Sequence, residues 1–237
     1  MLLSRLNASV TAFLRHPRTA KASFWVATAA TVLQLLPQIL QFIGLDGTAV
    51  MGVARLTYES DTLRLALSLV AMLALAVLWL VLSRMFPKEA RLMRYVTFAL
   101  AAVLALSAVW TVLASIFYPP VMPLTQHDTA TDIASEVTKM LNTFNTLLNL
   151  AAALLLMVRY RGRLQQLGVF IVAQFVVTCV ALLAIYALRS ARAGMATAMV
   201  VSVIHFVLQS ALSILLPYFL WRAVGGKSVP ETPQTLI

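Results

Sequence analysis

Residues 65–82 read LALSLVAMLALAVLWLVL, an apolar stretch without a single charged side chain. It lies inside a longer run, 63–84. This run is long enough to cross a bilayer as a helix, which takes about 20 residues. Lipid offers no partner for backbone N–H and C=O groups, so a spanning segment must be a helix or part of a closed barrel. The stretch lacks the period-two alternation that is typical of barrel strands. It therefore predicts a transmembrane helix.

Five further apolar runs of similar length occur along the 237-residue chain. Hydrophobic residues make up 61% of the sequence and charged residues only 11%, against about 45–50% and about 25% in soluble domains. The sequence thus predicts an all-α polytopic membrane protein, whose transmembrane domain (23–222) is a bundle of six helices. The predicted spans are 23–44, 63–84, 95–118, 137–160, 168–188 and 196–222.

The segments outside this domain have their own patterns. In residues 1–22, Leu2, Leu6, Val10 and Phe13 recur at helical spacing, and basic side chains lie among the polar positions. This pattern predicts an amphipathic helix on the cytoplasmic membrane surface. Residues 223–237 contain two glycines and two prolines, which favours a flexible cytoplasmic tail.

The positive charges indicate the orientation of the bundle. The net charge is +10, and most of the basic residues cluster in alternate connections, which by the positive-inside rule are cytoplasmic. Both termini are then inside, and the basic surface is expected to attract anionic lipid headgroups. Nucleic acid is not an expected partner, because the clusters separate apolar runs. The cytoplasmic set is Arg5, Arg15, Arg18, Lys21, Arg84, Lys88, Arg91, Arg94, Arg159, Arg161, Arg163, Arg222 and Lys227.

Polar side chains recur on single faces of three predicted spans, at spacings of three and four residues that place them on one side of a helix. At about 1.5 Å per residue, they lie between the bilayer centre and the outer surface. Unpaired polar groups in lipid cost several kcal/mol each, so we expect these stripes to face each other inside the bundle. Milder stripes occur in the third and fifth spans. The strongly polar residues are Gln34, Gln38, Gln41, Asn142, Asn145, Asn149, His205 and Gln209.

Two interpretations of the stripes remain open. In the first, the amides form hydrogen bonds between helices, which are a common feature of membrane bundles. In the second, they line a wet pocket that opens outward, with His205 as the one ionisable group inside the membrane. His205 itself is either a structural, hydrogen-bonded side chain or a group that binds a proton or a ligand.

Several kinds of chemistry lack the residues that they need. A haem held by two histidines requires both inside the bundle, and only His205 is placed there. No cluster of zinc ligands occurs, and no catalytic motif such as HExxH or GxSxG is present. Cys179 lies inside an apolar run and is interpreted as a small buried hydrophobe. We therefore expect no catalytic residue, no metal and no cofactor, and the chain is not expected to be an enzyme.

Two short segments carry a resemblance. ILLPYFLWRAV at 214–224 contains Pro217, Tyr218, Phe219 and Arg222, and FPKEARL lies at 86–92. They are similar to the final span and to a basic turn in a family of uncharacterised bacterial multi-span membrane proteins. The resemblance covers about a fifth of the chain. It implies a helical protein of the bacterial inner membrane and implies no activity.

Two functions are compatible with these patterns. The first is a protein that binds or passes a small solute, a lipid or a quinone through the outward-opening polar pocket. The second is a non-catalytic subunit that scaffolds a larger membrane complex, in which case other membrane proteins are its partners. Replacement of Asn145 or Gln209 by leucine would abolish ligand binding under the first hypothesis and would alter only stability under the second.

Overall fold

The structure is a computed structural model that describes residues 17–42, 61–87, 89–117, 129–190 and 195–224. Within these ranges the chain forms helices and no strand, which confirms the prediction of an all-α bundle. The predicted amphipathic helix before residue 17 and the predicted tail after residue 224 lie outside the described residues. The helices are α1 (Pro17–Phe42), α2 (Asp61–Met85), α3 (Arg91–Phe117), α4 (Thr129–Arg159), α5 (Arg163–Ser190) and α6 (Met195–Val224).

Five of the six helices are long and apolar enough to cross a membrane. These segments are Leu65–Met85, Arg91–Ile116, Ile133–Arg159, Arg163–Leu188 and Val203–Val224, with mean hydropathies between 1.6 and 2.8. Among the described residues, α1 contains no such segment. Five spans are therefore found, which is close to the six that the sequence predicts. The chain is thus a multi-pass membrane protein.

Successive helices are neighbours in space, and the last one returns to the first. Each helix contacts the next along the chain, α6 contacts α1, and α6 also contacts α2. The short connection at 160–162 reverses the chain, so α4 and α5 run antiparallel. Gly162 makes that reversal with a φ of 70°, a conformation that a residue without a Cβ adopts at low cost.

The packed core lies at one end of the bundle. We call it the basic end, because the helix termini there carry Arg84, Arg91, Arg159, Arg163 and Arg222. Leu78, Trp79, Leu82, Leu100, Leu156, Leu167 and Leu220 are its largest fully buried apolar side chains. Aromatic pairs tie the same end together: Phe24 stacks on Trp221 at 5.1 Å, Phe170 on Phe219 at 4.3 Å, and Phe86 packs against Tyr160 at 5.3 Å.

Among the described residues, few buried side chains of α4 and α5 lie towards the opposite end, and we call it the open end. The buried share of the apolar segment is 39% in α2 but only 17% in each of α4, α5 and α6. On α5, Leu182, Leu183 and Tyr186 are exposed near this end. Within the described part of the chain, the helices are therefore densely packed at the basic end, and burial decreases towards the other.

Candidate functional site: a polar cleft at the open end

The asparagine stripe of α4 runs from the open end into the middle of the helix. Asn149 donates a hydrogen bond from Nδ2 to the backbone carbonyl of Asn145 at 2.8 Å and to its Oδ1 at 3.0 Å. Both side chains are half-buried, whereas Asn142 is exposed. The two inner asparagines thus satisfy each other in part within their own helix, and Asn142 presents its amide outside the protein core.

One face of α4 changes from exposed to buried along its length. Asn142, Thr146, Asn149, Ala153 and Met157 are spaced by three or four residues and share this face. The first two are exposed, Ala153 is fully buried, and Asn149 and Met157 are half-buried. Another element therefore covers this face near the basic end and leaves it uncovered near the open end.

The covering element is α5, and Gly168 makes the close approach possible. A Cβ atom placed on Gly168 would lie 2.7 Å from the carbonyl oxygen of Ala153 and 3.0 Å from side-chain atoms of Leu156 and Met157. Two helix backbones can come this close only where a small residue faces the partner. Because the same face of α4 is exposed at Asn142 and Thr146, α5 leaves this face uncovered towards the open end. We call the space between them the α4–α5 cleft.

The cleft is polar although it lies at membrane depth. Ser135, Lys139, Asn142 and Thr146 recur at intervals of three and four residues on the exposed polar side of α4. The side of the helix that carries Met140, Phe144 and Leu147 is exposed as well but is apolar. In a bilayer the apolar side suits the acyl chains. The Thr146 hydroxyl bonds to the Asn142 carbonyl at 2.8 Å within α4, but the exposed carboxamide of Asn142 would cost several kcal/mol in contact with hydrocarbon. The polar side therefore requires water, a ligand or a polar partner.

A second polar group lies on the other side of α5, at its contact with α6. The hydroxyl of Thr178 donates to Oε1 of Gln209 at 3.2 Å. One turn nearer the open end, Nδ1 of His205 is buried and has no hydrogen-bond partner among the described residues. An unpaired buried nitrogen costs free energy, so His205 has an unused polar atom at the edge of this group.

The glutamine stripe of α1 lies elsewhere in the bundle. Gln34 is half-buried, and α1 contacts α2 and α6 but neither α4 nor α5 among the described residues. The side chains of Gln38 and Gln41 lie outside the described residues. The structure thus brings Asn145 together with Asn149, and Gln209 together with Thr178, but it does not bring Gln34 next to the asparagines of α4.

Many hydroxyl groups in the spans bond to their own helix. Thr111 donates to the carbonyl of Ser107 at 2.7 Å, and Thr97 donates to that of Met93 at 2.8 Å. Such bonds to the preceding turn satisfy a hydroxyl without a partner helix. The mild stripe on α3, which includes Thr111 and Ser115, is therefore accounted for by local bonding.

Two further polar features, one contact and one unpaired hydroxyl, carry no periodic signal in the sequence. Nε1 of Trp110 on α3 donates to the hydroxyl of Thr138 on α4 at 3.1 Å and joins these helices near the open end. The Thr28 hydroxyl on α1 is buried without a partner in the described part of the chain. An isolated Trp or Thr is common in membrane helices, so neither position stands out from its neighbours.

No cluster of three metal-ligating side chains occurs among the residues that the structure describes. The polar atoms of the α4–α5 cleft are carboxamides and hydroxyls, apart from the ion pair of Lys139 with Glu136 at 2.7 Å near its mouth. The arrangement can therefore donate and accept neutral hydrogen bonds.

Comparison with known proteins adds no relative: no protein-family model, no curated protein and no solved structure matches this chain. The class that the fold defines, a multi-pass helical membrane protein, thus comes from the chain's own helices.

Proposed function

We propose that this protein binds a small amphiphilic molecule with a neutral polar head, such as a lipid or a quinone, or a small polar solute, in the α4–α5 cleft. The observation that carries the proposal is the exposed polar side of α4, on which the Asn142 carboxamide lies at membrane depth without cover from the described residues, next to a Thr146 hydroxyl that donates to the Asn142 carbonyl at 2.8 Å. A hydrogen-bonding head in the cleft would satisfy the Asn142 carboxamide and donate to the Thr146 oxygen. Exposed apolar side chains next to them would accommodate a tail.

Orientation is part of the same proposal. The distribution of Lys and Arg supports a basic end in the cytoplasm of a bacterial cell and an open end on the outer side of the inner membrane. The resemblance of 86–92 and 214–224 to bacterial multi-span proteins points to the same membrane. A reporter that is active only in the cytoplasm, fused after residue 237, would be active if this orientation is right and silent if it is reversed.

The binding proposal is tested by native mass spectrometry of the gently solubilised full chain. We expect an additional small-molecule mass on the wild type and its loss in an Asn142→Leu/Thr146→Val double variant, because both substitutions remove polar atoms from the cleft. These positions are exposed, so the variant should fold. The matched control is Phe144→Leu, on the apolar side of the same helix, which should keep the additional mass.

A scaffolding subunit is the second candidate, and the same exposed stripe favours it. A polar transmembrane helix of another protein could cover Asn142 and Thr146 instead of a ligand. In that case the wild type would carry a stoichiometric protein partner and no small molecule, and the double variant would release that partner. Retention of the small molecule by the double variant would contradict the proposed binding site.

A further inference from the structure

A second cleft lies at the basic end, on the surface formed by the end of α2 and the beginning of α3. Its volume is about 460 Å³, within the range of about 300–1,000 Å³ that is usual for small-molecule sites. Three guanidinium groups converge on it from two helices, together with one hydroxyl and two aromatic rings. The lining residues are Ser83, Arg84, Arg91, Arg94, Tyr95 and Phe98.

The spacing of these residues explains why they meet. Arg91, Arg94, Tyr95 and Phe98 stand at i, i+3, i+4 and i+7, so they share one face of α3. Arg84 is in the last turn of α2, and the short connection after Met85 brings that turn beside the first turn of α3. A backbone hydrogen bond of 3.1 Å from Ala90 to Pro87 closes the connection.

The charges of this cleft are not neutralised within the described part of the chain. No acidic side chain there forms an ion pair with Arg84, Arg91 or Arg94. The hydroxyl of Ser83 donates to the carbonyl of Leu80 at 2.7 Å, so its hydrogen is already engaged. The guanidinium groups therefore supply the free donors, and a planar fork of donors matches the oxygens of a phosphate.

The flank of the cleft is apolar and faces away from the bundle. Tyr95 is 70% exposed and Phe98 is 54% exposed. Ala102 and Leu106 continue the same exposed strip along α3 towards the bilayer centre. An occupant that contacts the arginines can thus extend an apolar chain along α3, as a phospholipid does and an inorganic anion does not.

We propose that this cleft binds the phosphate headgroup of an anionic phospholipid, with its acyl chains against Tyr95, Phe98 and the strip that follows. Basic pockets between helix ends at the cytoplasmic side are a recurrent form of lipid recognition. The site is independent of the proposed function, because the α4–α5 cleft opens at the other end of the bundle. Failure of one proposal leaves the other untouched.

The test uses the full chain, delipidated in detergent and titrated with phosphatidylglycerol or with phosphatidylcholine of the same acyl chains. Bound lipid is counted by native mass spectrometry. We expect phosphatidylglycerol to bind about tenfold more tightly than phosphatidylcholine, because each basic side chain at the surface favours an anionic headgroup. We expect Arg91→Gln/Arg94→Gln to remove this preference. Arg94→Lys should retain only part of it, since lysine keeps the charge and loses the fork.

The matched control is Arg161→Gln/Arg163→Gln, which removes two exposed charges at the same end, one from the connection between α4 and α5 and one from the start of α5. It should keep the preference. If both double variants lose the preference for phosphatidylglycerol equally, general surface charge explains it and the proposal is overturned. Equal binding of the two lipids by the wild type would also overturn the proposal. Complete displacement of the lipid by inorganic phosphate would overturn it in favour of a free-anion site. If Arg91→Gln/Arg94→Gln does not fold, Arg84→Gln on the exposed last turn of α2 tests the same cleft.

Discussion

The hydroxyl of Thr178 on α5 lies 3.2 Å from Oε1 of Gln209 on α6 and 2.9 Å from the carbonyl oxygen of Gln174 in its own helix. One hydroxyl hydrogen is therefore shared between a partner helix and the preceding turn. The bond to the local carbonyl is the shorter of the two. Of these two bonds, only the longer one, to Gln209, joins α5 to α6, because Gln174 belongs to α5 itself.

We expect the coupling between Thr178 and Gln209 to be weak. In a double-mutant cycle with Thr178→Val and Gln209→Leu, the interaction energy should be about 0.6 kcal/mol or less, the average for such bonds in a membrane. Reversible unfolding in bicelles measures it. A cycle of Thr111→Val with Gln209→Leu is the control and should give no coupling, because Thr111 bonds within α3. A Thr178–Gln209 coupling near the upper limit of about 3 kcal/mol would contradict the shared-hydrogen interpretation.

Gly168 sets the distance between α4 and α5 at the base of the α4–α5 cleft. Gly168→Ala should lower the free energy of unfolding by about 1–3 kcal/mol, the usual cost of overpacking, because the new Cβ would lie 2.7 Å from the Ala153 carbonyl oxygen. That oxygen belongs to a helix backbone and cannot rotate away. Thermal unfolding of the purified protein measures the change. The neighbouring substitution Val169→Ala, at an exposed position, should have little effect, and equal losses in the two variants would contradict this role.

Five of the six predicted spans correspond to helices that are long and apolar enough to cross a membrane, because apolar length alone determines this property. Run 63–84 corresponds to α2, Asp61–Met85, and run 95–118 to α3, Arg91–Phe117. The predicted fourth span begins at 137, eight residues after the start of α4, because residues 129–136 are largely polar. Helical hydrogen bonds form within the segment and require no apolar side chains. Hydrophobicity thus locates the part of a helix that lies in lipid and not the helix ends.

The sites could be predicted only as lists of residues. Spacing places Asn142, Asn145 and Asn149 on one side of a helix, but their exposure depends on where α5 approaches, and Gly168 decides that. The arginines of 84–94 are visible in the sequence as a sign of topology. Their convergence on one cleft depends on the turn between α2 and α3, which no periodic pattern describes.

Substitution of His205 tests whether its buried Nδ1 has a hydrogen-bond partner. His205→Leu should raise the free energy of unfolding of the ligand-free protein by about 1 kcal/mol, because a buried polar atom without a partner costs about 1–3 kcal/mol. His205→Asn is the control: it keeps a polar atom near the position of Nδ1 and should give no gain. Thermal unfolding in detergent compares the three proteins. A loss of stability in His205→Leu alone would show that Nδ1 is hydrogen-bonded in solution.

We expect the protein to lose stability at alkaline pH because of Tyr160, which lies in the connection after α4. Burial raises the pKa of the Tyr160 hydroxyl above its ordinary value of 10.0, and the guanidinium of Arg159 offsets part of the rise. The folded protein therefore holds this proton more tightly than the unfolded chain. Its contribution to stability is complete below the unfolded pKa and is lost as the pH rises through the folded pKa.

Thermal unfolding of the wild type should thus show a falling midpoint as the pH is raised beyond about 10, the ordinary pKa of tyrosine. In Tyr160→Phe this part of the fall should be absent, because phenylalanine has no proton to lose and keeps the ring that packs on Phe86 at 5.3 Å. Tyr95→Phe is the control, since Tyr95 is exposed, and it should follow the wild-type curve. If the unfolding midpoint of Tyr160→Phe falls as steeply with pH as that of the wild type, a different group with a raised pKa must cause the loss of stability at alkaline pH.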